Sequence, residues 1–184
     1  MIEKSKFKII GEKINLRLTI SKDIEDYHGW NSPNMKAWDF DGPYYSHDLS
    51  SLIAKRGNCL ESTLSAPYKY LEIETTDGIH LGWVNLSHQK DHPHISEIGI
   101  VIVEDNYWNL GLGTEAFILW INYIFEAWEL TRIGFSTWSG NERMIAVGKK
   151  LGFIEEARIR KARVVKEKFY DSIKMGILKE EWNH

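Results

Sequence analysis

Residues 94–128, HISEIGIVIVEDNYWNLGLGTEAFILWINYIFEAW, constrain the fold more tightly than any other part of the chain. The run 94–103 is largely apolar, which predicts a strand. From about Thr114 to Trp128 the apolar residues take helical spacing. Phe117, Trp120, Ile121, Ile124 and Trp128 share one face, and Ile118, Leu119 and Phe125 make much of the remainder apolar. Such a helix has to be buried against other structure. Gly111 and Gly113 stand just before it. A turn needs one glycine; a second at the mouth of a helix leaves room for a ligand to approach the backbone. The free N–H groups of the first turn and the helix dipole favour an anion there. Taken alone, Gly-x-Gly before a helix serves turn chemistry more often than ligand binding. It matches neither G-x-x-x-x-G-K-[ST] nor G-x-G-x-x-G, so neither a nucleoside-triphosphate loop nor a Rossmann site is indicated.

The flanking elements are shorter. Residues 14–20 alternate as a strand, Ser21 is a candidate cap for a helix over 21–30, and 48–57 form a second helix. Between them, 31–47 read as loop or short irregular helix, rich in Pro, Gly, Asn and aromatics. Residues 68–87 predict a hairpin around Asp77-Gly78. A strand at 131–138, a helix at 142–150 stopped by Gly152, and a hairpin turning at Lys166–Lys168 complete the order β-α-α-β-β-β-α-β-α-β-β, a single mixed α/β domain. With 184 residues, 43% of them hydrophobic, the chain can bury one core without disulfide or metal. A net charge of −3 argues against a general nucleic-acid binder and mildly favours cationic partners. Cys59, the single cysteine, reads as a packed or surface thiol; no disulfide or metal spacing arises, which points to a reducing compartment. The N-terminus lacks the apolar core of a signal peptide, and the apolar run 116–125 is too short for a bilayer. A soluble, cytoplasmic protein without a membrane partner is expected.

The stretches EIGIVIVEDNYWNLGLGTEAF, NERMIAVGKKLGF and EARIRKARVVKEKFYDSIKMGILKEEW, in that order, resemble the GNAT superfamily of acetyl-CoA-dependent N-acetyltransferases. They look most like its RimJ/RimL branch, which includes ribosomal-protein N-terminal acetyltransferases. The resemblance is dense from Gly82 to Trp182. It implies one N-acetyltransferase domain over 1–184: a mostly antiparallel sheet of about seven strands, splayed at strands four and five, with about four helices. Acetyl-CoA would be the cosubstrate, lying in the splay, with no metal. Its pyrophosphate loop would be Trp108, Asn109, Leu110, Gly111, Leu112 and Gly113, with Thr114 opening the helix. Its pantetheine would pair with the backbone of Val101, Ile102 and Val103 and meet the side chain of Asn141. Trp108 stands where much of the superfamily has Gln or Arg, and is common in this branch. Many members carry a tyrosine seven residues after the asparagine, as proton donor to the departing thiolate. Here that position is Gly148, so that acid is unassigned.

An alkylammonium, with an ordinary pKa near ~10, must lose a proton before it attacks a thioester. Glu97, expected to begin the strand that would hold the thioester, reads either as that base or as a solvent-face carboxylate. His92 and His94 read as bystanders. A backbone N–H around Ile100 or Val101 would meet the oxyanion. By family analogy residues 30–47 cover the amine site. There Trp38, Phe40, Tyr44 and Tyr45 offer apolar and cation-binding faces, and Asp39 and Asp41 negative charge; alternatively the aromatics pack the loop and the aspartates are solvated. The expected acceptor is a protein N-terminal amine. A small amine (polyamine, amino sugar or antibiotic) and a non-catalytic acyl-CoA-binding module are the alternatives, and a homodimer is left open.

Overall fold

Among the described residues, alternating apolar side chains build one sheet of eight strands. The computed structural model describes residues 7–44, 48–61, 66–89 and 92–184. In chain order the strands are β1 (Lys8–Ile10), β2 (Ile14–Arg17), β3 (Tyr70–Thr75), β4 (His80–Gln89), β5 (His92–Ile102), β6 (Arg132–Trp138), β7 (Ile154–Val165) and β8 (Lys168–Leu178). The helices are α1 (Asp23–Trp30), α2 (Ser50–Glu61), α3 (Leu112–Ala127) and α4 (Glu142–Lys150), and a 3-10 turn lies at Lys36–Asp39. The spatial order is β1-β2-β3-β4-β5-β6-β8-β7. Neighbours are antiparallel except β5 and β6, which α3 connects in parallel. The two hairpin turns fall where the sequence places them. Gly78 has φ +89, and Lys166 and Glu167 have φ +47 and +64.

Several elements differ in extent from the sequence reading, among them α2, which runs Ser50–Glu61 rather than 48–57, and β5, which runs His92–Ile102 rather than 94–103. β1 adds an eighth strand; three residues are too few to show an alternation. Counting it, the splay lies between the fifth and sixth strands, not the fourth and fifth. β2 stops at Arg17 instead of Ile20, because the Ile20 N–H turns to the Asp23 carboxylate at 2.8 Å. α3 begins at Leu112, two residues before Thr114, because Gly111 takes the left-handed conformation (φ +84) that lets the helix start there.

Two apolar layers sandwich the sheet. On one face Phe117, Trp120, Ile121 and Ile124 of α3 are fully buried against Ile14, Leu16, Leu71, Ile73, Leu81 and Val84. Burial of such side chains stabilises by about 1.5–3 kcal/mol each. On the other face Tyr27 and Trp30 of α1 join Trp38, Leu49, Trp83 and Val103. Beneath α1 lies a buried charged network that no periodicity reveals. Arg17 grips Asp23 in a bidentate pair at 2.7 and 2.8 Å and also binds Glu74. His80 presents Nδ1 to Asp26 at 2.9 Å and Nε2 to Glu72 at 3.2 Å, and the Tyr27 hydroxyl donates to Glu72 at 2.7 Å. Burial pushes the His80 pKa down, but the hydrogen bond and charge of Glu72, with Asp23 and Asp26, outweigh it and leave it raised. Burial likewise pushes Glu72 up, yet His80 and Arg56 hold it below the usual carboxylate range. Among the described residues no helix is long and apolar enough to cross a membrane.

Candidate active site

β5 and β6 stay in register for three residue pairs, Ile95 with Arg132, Ser96 with Ile133 and Glu97 with Gly134, and then part. β4 and β8 hold their outer edges, so Ile98–Ile102 and Phe135–Trp138 face each other across a gap with no ladder between the two strands. The gap opens into a cavity of about 780 Å³. Besides the two strand ends, its walls are the loop before α3, the start of α4 at Asn141–Met144, the segment around Phe40–Gly42 with Tyr44, and Arg163 from β7.

Strand alternation decides which backbone groups reach the gap. The Val103 N–H donates to the Leu81 carbonyl at 2.9 Å, and the Val101 carbonyl lies directly under the place a Cβ at Gly82 would take. Both residues therefore turn their backbone toward β4. Ile98, Ile100 and Ile102 turn theirs into the gap, and the Ile102 carbonyl accepts from Trp108 Nε1 at 2.8 Å. Of the expected trio Val101, Ile102 and Val103, only Ile102 presents its backbone, and Ile100 joins it. Of the two expected oxyanion donors, Ile100 faces the gap and Val101 does not.

The loop delivers the helix start to the same cavity. Asn109 is left-handed (φ +62) and Gly111 has φ +84, so the chain turns sharply into α3. The N-cap residue Gly111 offers no side-chain cap, which leaves the first-turn amides of Leu112, Gly113 and Thr114 as free donors. A Cβ at Gly113 would meet only Ile102 Cδ1, at an ordinary 3.6 Å. Packing within the chain thus does not require glycine there, and the space beside it is open to an anion. Leu112 is core by its side chain and Leu110 is exposed. Lys13 donates to the Leu110 carbonyl at 3.3 Å and brings a positive charge to this loop. Arg143 lies between the Trp108 and Phe40 rings, 4.5 and 4.8 Å from their centroids. Asn141 lines the cavity, but its amide has two protein tasks. Its Oδ1 caps α4 through the Met144 N–H at 3.1 Å, and its Nδ2 donates to the Phe40 carbonyl at 3.3 Å.

Gly148 explains the absent tyrosine. It is buried, and a Cβ there would stand 2.6 Å from Phe135 Cζ and 3.1 Å from Met175 Sδ. Phe135 fills the room a larger side chain would need. Tyr44 and Tyr107 are the phenols that line the cavity among the described residues.

Glu97 stands in mid-strand, since β5 begins at His92, at the root of the splay rather than on the cavity wall. Ser136, which does line the cavity, donates to Glu97 at 3.2 Å, and Lys174 Nζ lies 3.9 Å from the carboxylate. His92 and His94 sit exposed at the far end of β5. The acceptor segment divides. Asp41 lines the cavity, whereas Asp39 is exposed and paired with Lys166 at 3.2 Å. Trp38 is core, its indole donating to the Trp30 carbonyl at 3.1 Å. Tyr45 and the side chain of Cys59 lie outside the described residues. The sequence reading missed Ser136, Arg143, Lys13 and Arg163. Ser136 and Arg163 sit on strands whose alternation says nothing about the gap.

A splayed sheet whose parting strands meet an uncapped helix start defines the class: a GNAT-type acetyltransferase fold. The chain belongs to the acetyltransferase (GNAT) domain family, whose model matches residues 13–154. It is 32% identical over 106 residues to a Bacillus subtilis (strain 168) protein named "Putative ribosomal N-acetyltransferase YdaF"; the match spans 58% of this chain and 57% of that relative. The crystal structure of a GNAT-family acetyltransferase from Bacillus anthracis superposes with TM-score 0.75 at 22% identity, over 95% of this chain and all of that one. A GNAT-family acetyltransferase from Streptococcus pneumoniae superposes at 0.70 and 23%, over 90% and 99%.

Proposed function

We propose that the chain transfers an acetyl group from acetyl-CoA to a primary amine by direct attack in a ternary complex, the acceptor being a protein N-terminal amine. One observation carries this reading: beyond the last β5–β6 pair the backbone of Ile98 and Ile100 turns into the gap, which runs toward the free amides of α3. An extended amide-bearing arm pairs with the first, as an added strand would, and a pyrophosphate suits the second. Ile100 and Ile102 hold the arm. Gly113 admits the phosphate, and Lys13 adds charge beside it.

Glu97 serves as base through Ser136, whose hydroxyl already donates to the carboxylate and faces the cavity. Ser136 takes the ammonium proton as it passes its own to Glu97. The Ile100 N–H meets the oxyanion that forms at the thioester carbonyl. Tyr44 or Tyr107 supplies the proton to the leaving thiolate. Asp41 attracts the incoming ammonium. The RimJ/RimL resemblance and the name of the Bacillus subtilis relative support the choice of a protein N-terminus, and the proposed site is cytoplasmic. Release of free thiol from acetyl-CoA, followed over a panel of N-terminal peptides, polyamines and amino sugars, tests it. Peptide-dependent release is expected; release with small amines alone transfers the function to them, and acetyl-CoA binding without release on any amine refutes catalysis.

A further inference from the structure

Among the described residues two guanidinium groups stand on the cavity wall: Arg143 lies between the Trp108 and Phe40 rings, and Arg163 carries a buried donor that no carboxylate answers. β7 carries an irregularity between Ile159 and Arg163, with Lys161 left-handed at φ +54, and this re-aims Arg163 toward the cavity. Its guanidinium stacks 4.8 Å from the centroid of Tyr44, and Nη1 donates to the neighbouring Ala162 carbonyl at 3.2 Å. Its Nε is buried without a hydrogen-bond partner, and among the described residues no carboxylate pairs with it. By contrast Arg17, Arg132 and Arg158 each hold a carboxylate. A buried donor without an acceptor is unfavourable, and a guanidinium fork matches a carboxylate in geometry and charge.

The surroundings place this group on the acceptor side. The Phe40 carbonyl accepts from Trp138 Nε1 at 2.8 Å, Trp138 packs edge-on against Tyr170 at 4.8 Å, and Lys166 pairs with Asp39. The β7–β8 hairpin and the acceptor segment therefore form one wall, which carries Asp41 and Arg163 together. That wall offers a carboxylate for an ammonium and a guanidinium for an anion.

Resting on the acetyltransfer reading above, we propose that the acceptor is an amine that also carries a carboxylate, and that Arg163 is the specificity-determining residue that binds it. The carboxylate has two sources, the acidic side chain of a peptide N-terminal residue or the α-carboxylate of a free amino acid. The fork binds either through paired N–H···O contacts.

The test measures kcat/KM at saturating acetyl-CoA for matched acceptors: the tripeptide amides Asp-Ala-Ala and Asn-Ala-Ala, free aspartate, and free alanine beside alaninamide. The wild type is expected to prefer the member with the carboxylate in at least one pair by about tenfold or more, as hydrogen bonds to a charged group imply. Preference within the peptide pair assigns the side chain as the source, and within the alanine pair the α-carboxylate. Arg163→Gln should bring the preferred pair's ratio close to one through a raised KM of the acid, and Arg163→Lys should retain part of it. Melting temperature and acetyl-CoA affinity of both variants report their folding. Acetylation of the panel with ratios near one, or a preference that survives in folded Arg163→Gln, overturns the assignment of Arg163 alone. No acetylation of any member by wild-type protein that binds acetyl-CoA refutes the acetyltransfer reading, and this proposal with it.

Discussion

Gly148→Ala isolates the reason this chain lacks a phenol on α4. The added Cβ would stand 2.6 Å from Phe135 Cζ and 3.0 Å from Cε1, against about 3.5–4.0 Å for relaxed carbon contacts. Phe135 cannot swing aside, because Phe117 and Phe153 pack against it at 6.2 and 5.1 Å between centroids and it is 1% exposed. Overpacking of this kind costs about 1–3 kcal/mol. Replacing a helical glycine by alanine returns roughly 0.5–1 kcal/mol. The net loss is then about 0–2.5 kcal/mol, centred near 1, or some 2–4 °C in melting temperature per kcal/mol for a chain of this size. Calorimetry or thermal circular dichroism should show that loss in the wild type and a smaller one in a Phe135→Leu background, where Cζ and Cε1 no longer occupy the same space. A Gly148→Ala protein at least as stable as the wild type, with no coupling to Phe135, would refute the steric account.

Glu97→Gln should lower kcat by about 10²-fold or more while leaving acetyl-CoA affinity nearly unchanged, and Ser136→Ala should fall comparably if the proton passes through its hydroxyl. Steady-state kinetics decide between this and a solvated carboxylate. Asp41→Asn should raise the KM of a cationic acceptor by an amount that shrinks with salt. Asp39→Asn, whose carboxylate is exposed and engaged by Lys166, should leave that KM nearly unchanged. The stability that His80 contributes is complete below its unfolded value of 6.5 and is lost as pH rises through its raised folded value. Glu72, depressed from 4.5, contributes above that value and loses its share as pH falls through its folded value. The melting temperature should therefore peak between these limits, and His80→Gln should flatten the decline on the alkaline side.

The strong periodicities carried the architecture. α3 was legible because five large apolar residues repeat at helical spacing, and both hairpins because turn chemistry and alternation agree at Asp77-Gly78 and Lys166–Lys168. The sequence could not show β1, whose three residues form a strand only because β2 lies beside them. The cofactor loop was readable as glycines ahead of a helix; the direction of each β5 carbonyl was not, since it follows from register with β4. That is why the backbones of Val101 and Val103 turn away and that of Ile100 enters, although Val101 still lines the cavity. Arg163 was hidden among the bases of β7, where a local irregularity rather than alternation decides which side chain turns inward. The Arg17, Asp23, Glu72 and His80 network was invisible because each member is ordinary in sequence and becomes informative only through burial beside its partners.

The central claim is that the gap between β5 and β6, with the first turn of α3, receives acetyl-CoA. Titration calorimetry of acetyl-CoA into the wild type and Gly113→Glu tests it directly. The open space beside Gly113, where a Cβ meets only Ile102 Cδ1 at 3.6 Å, would be filled by a side chain of the same sign as the phosphates. The account predicts one saturable site in the wild type and loss of measurable binding in a variant that keeps its fold. Equal affinity in the two proteins would contradict it.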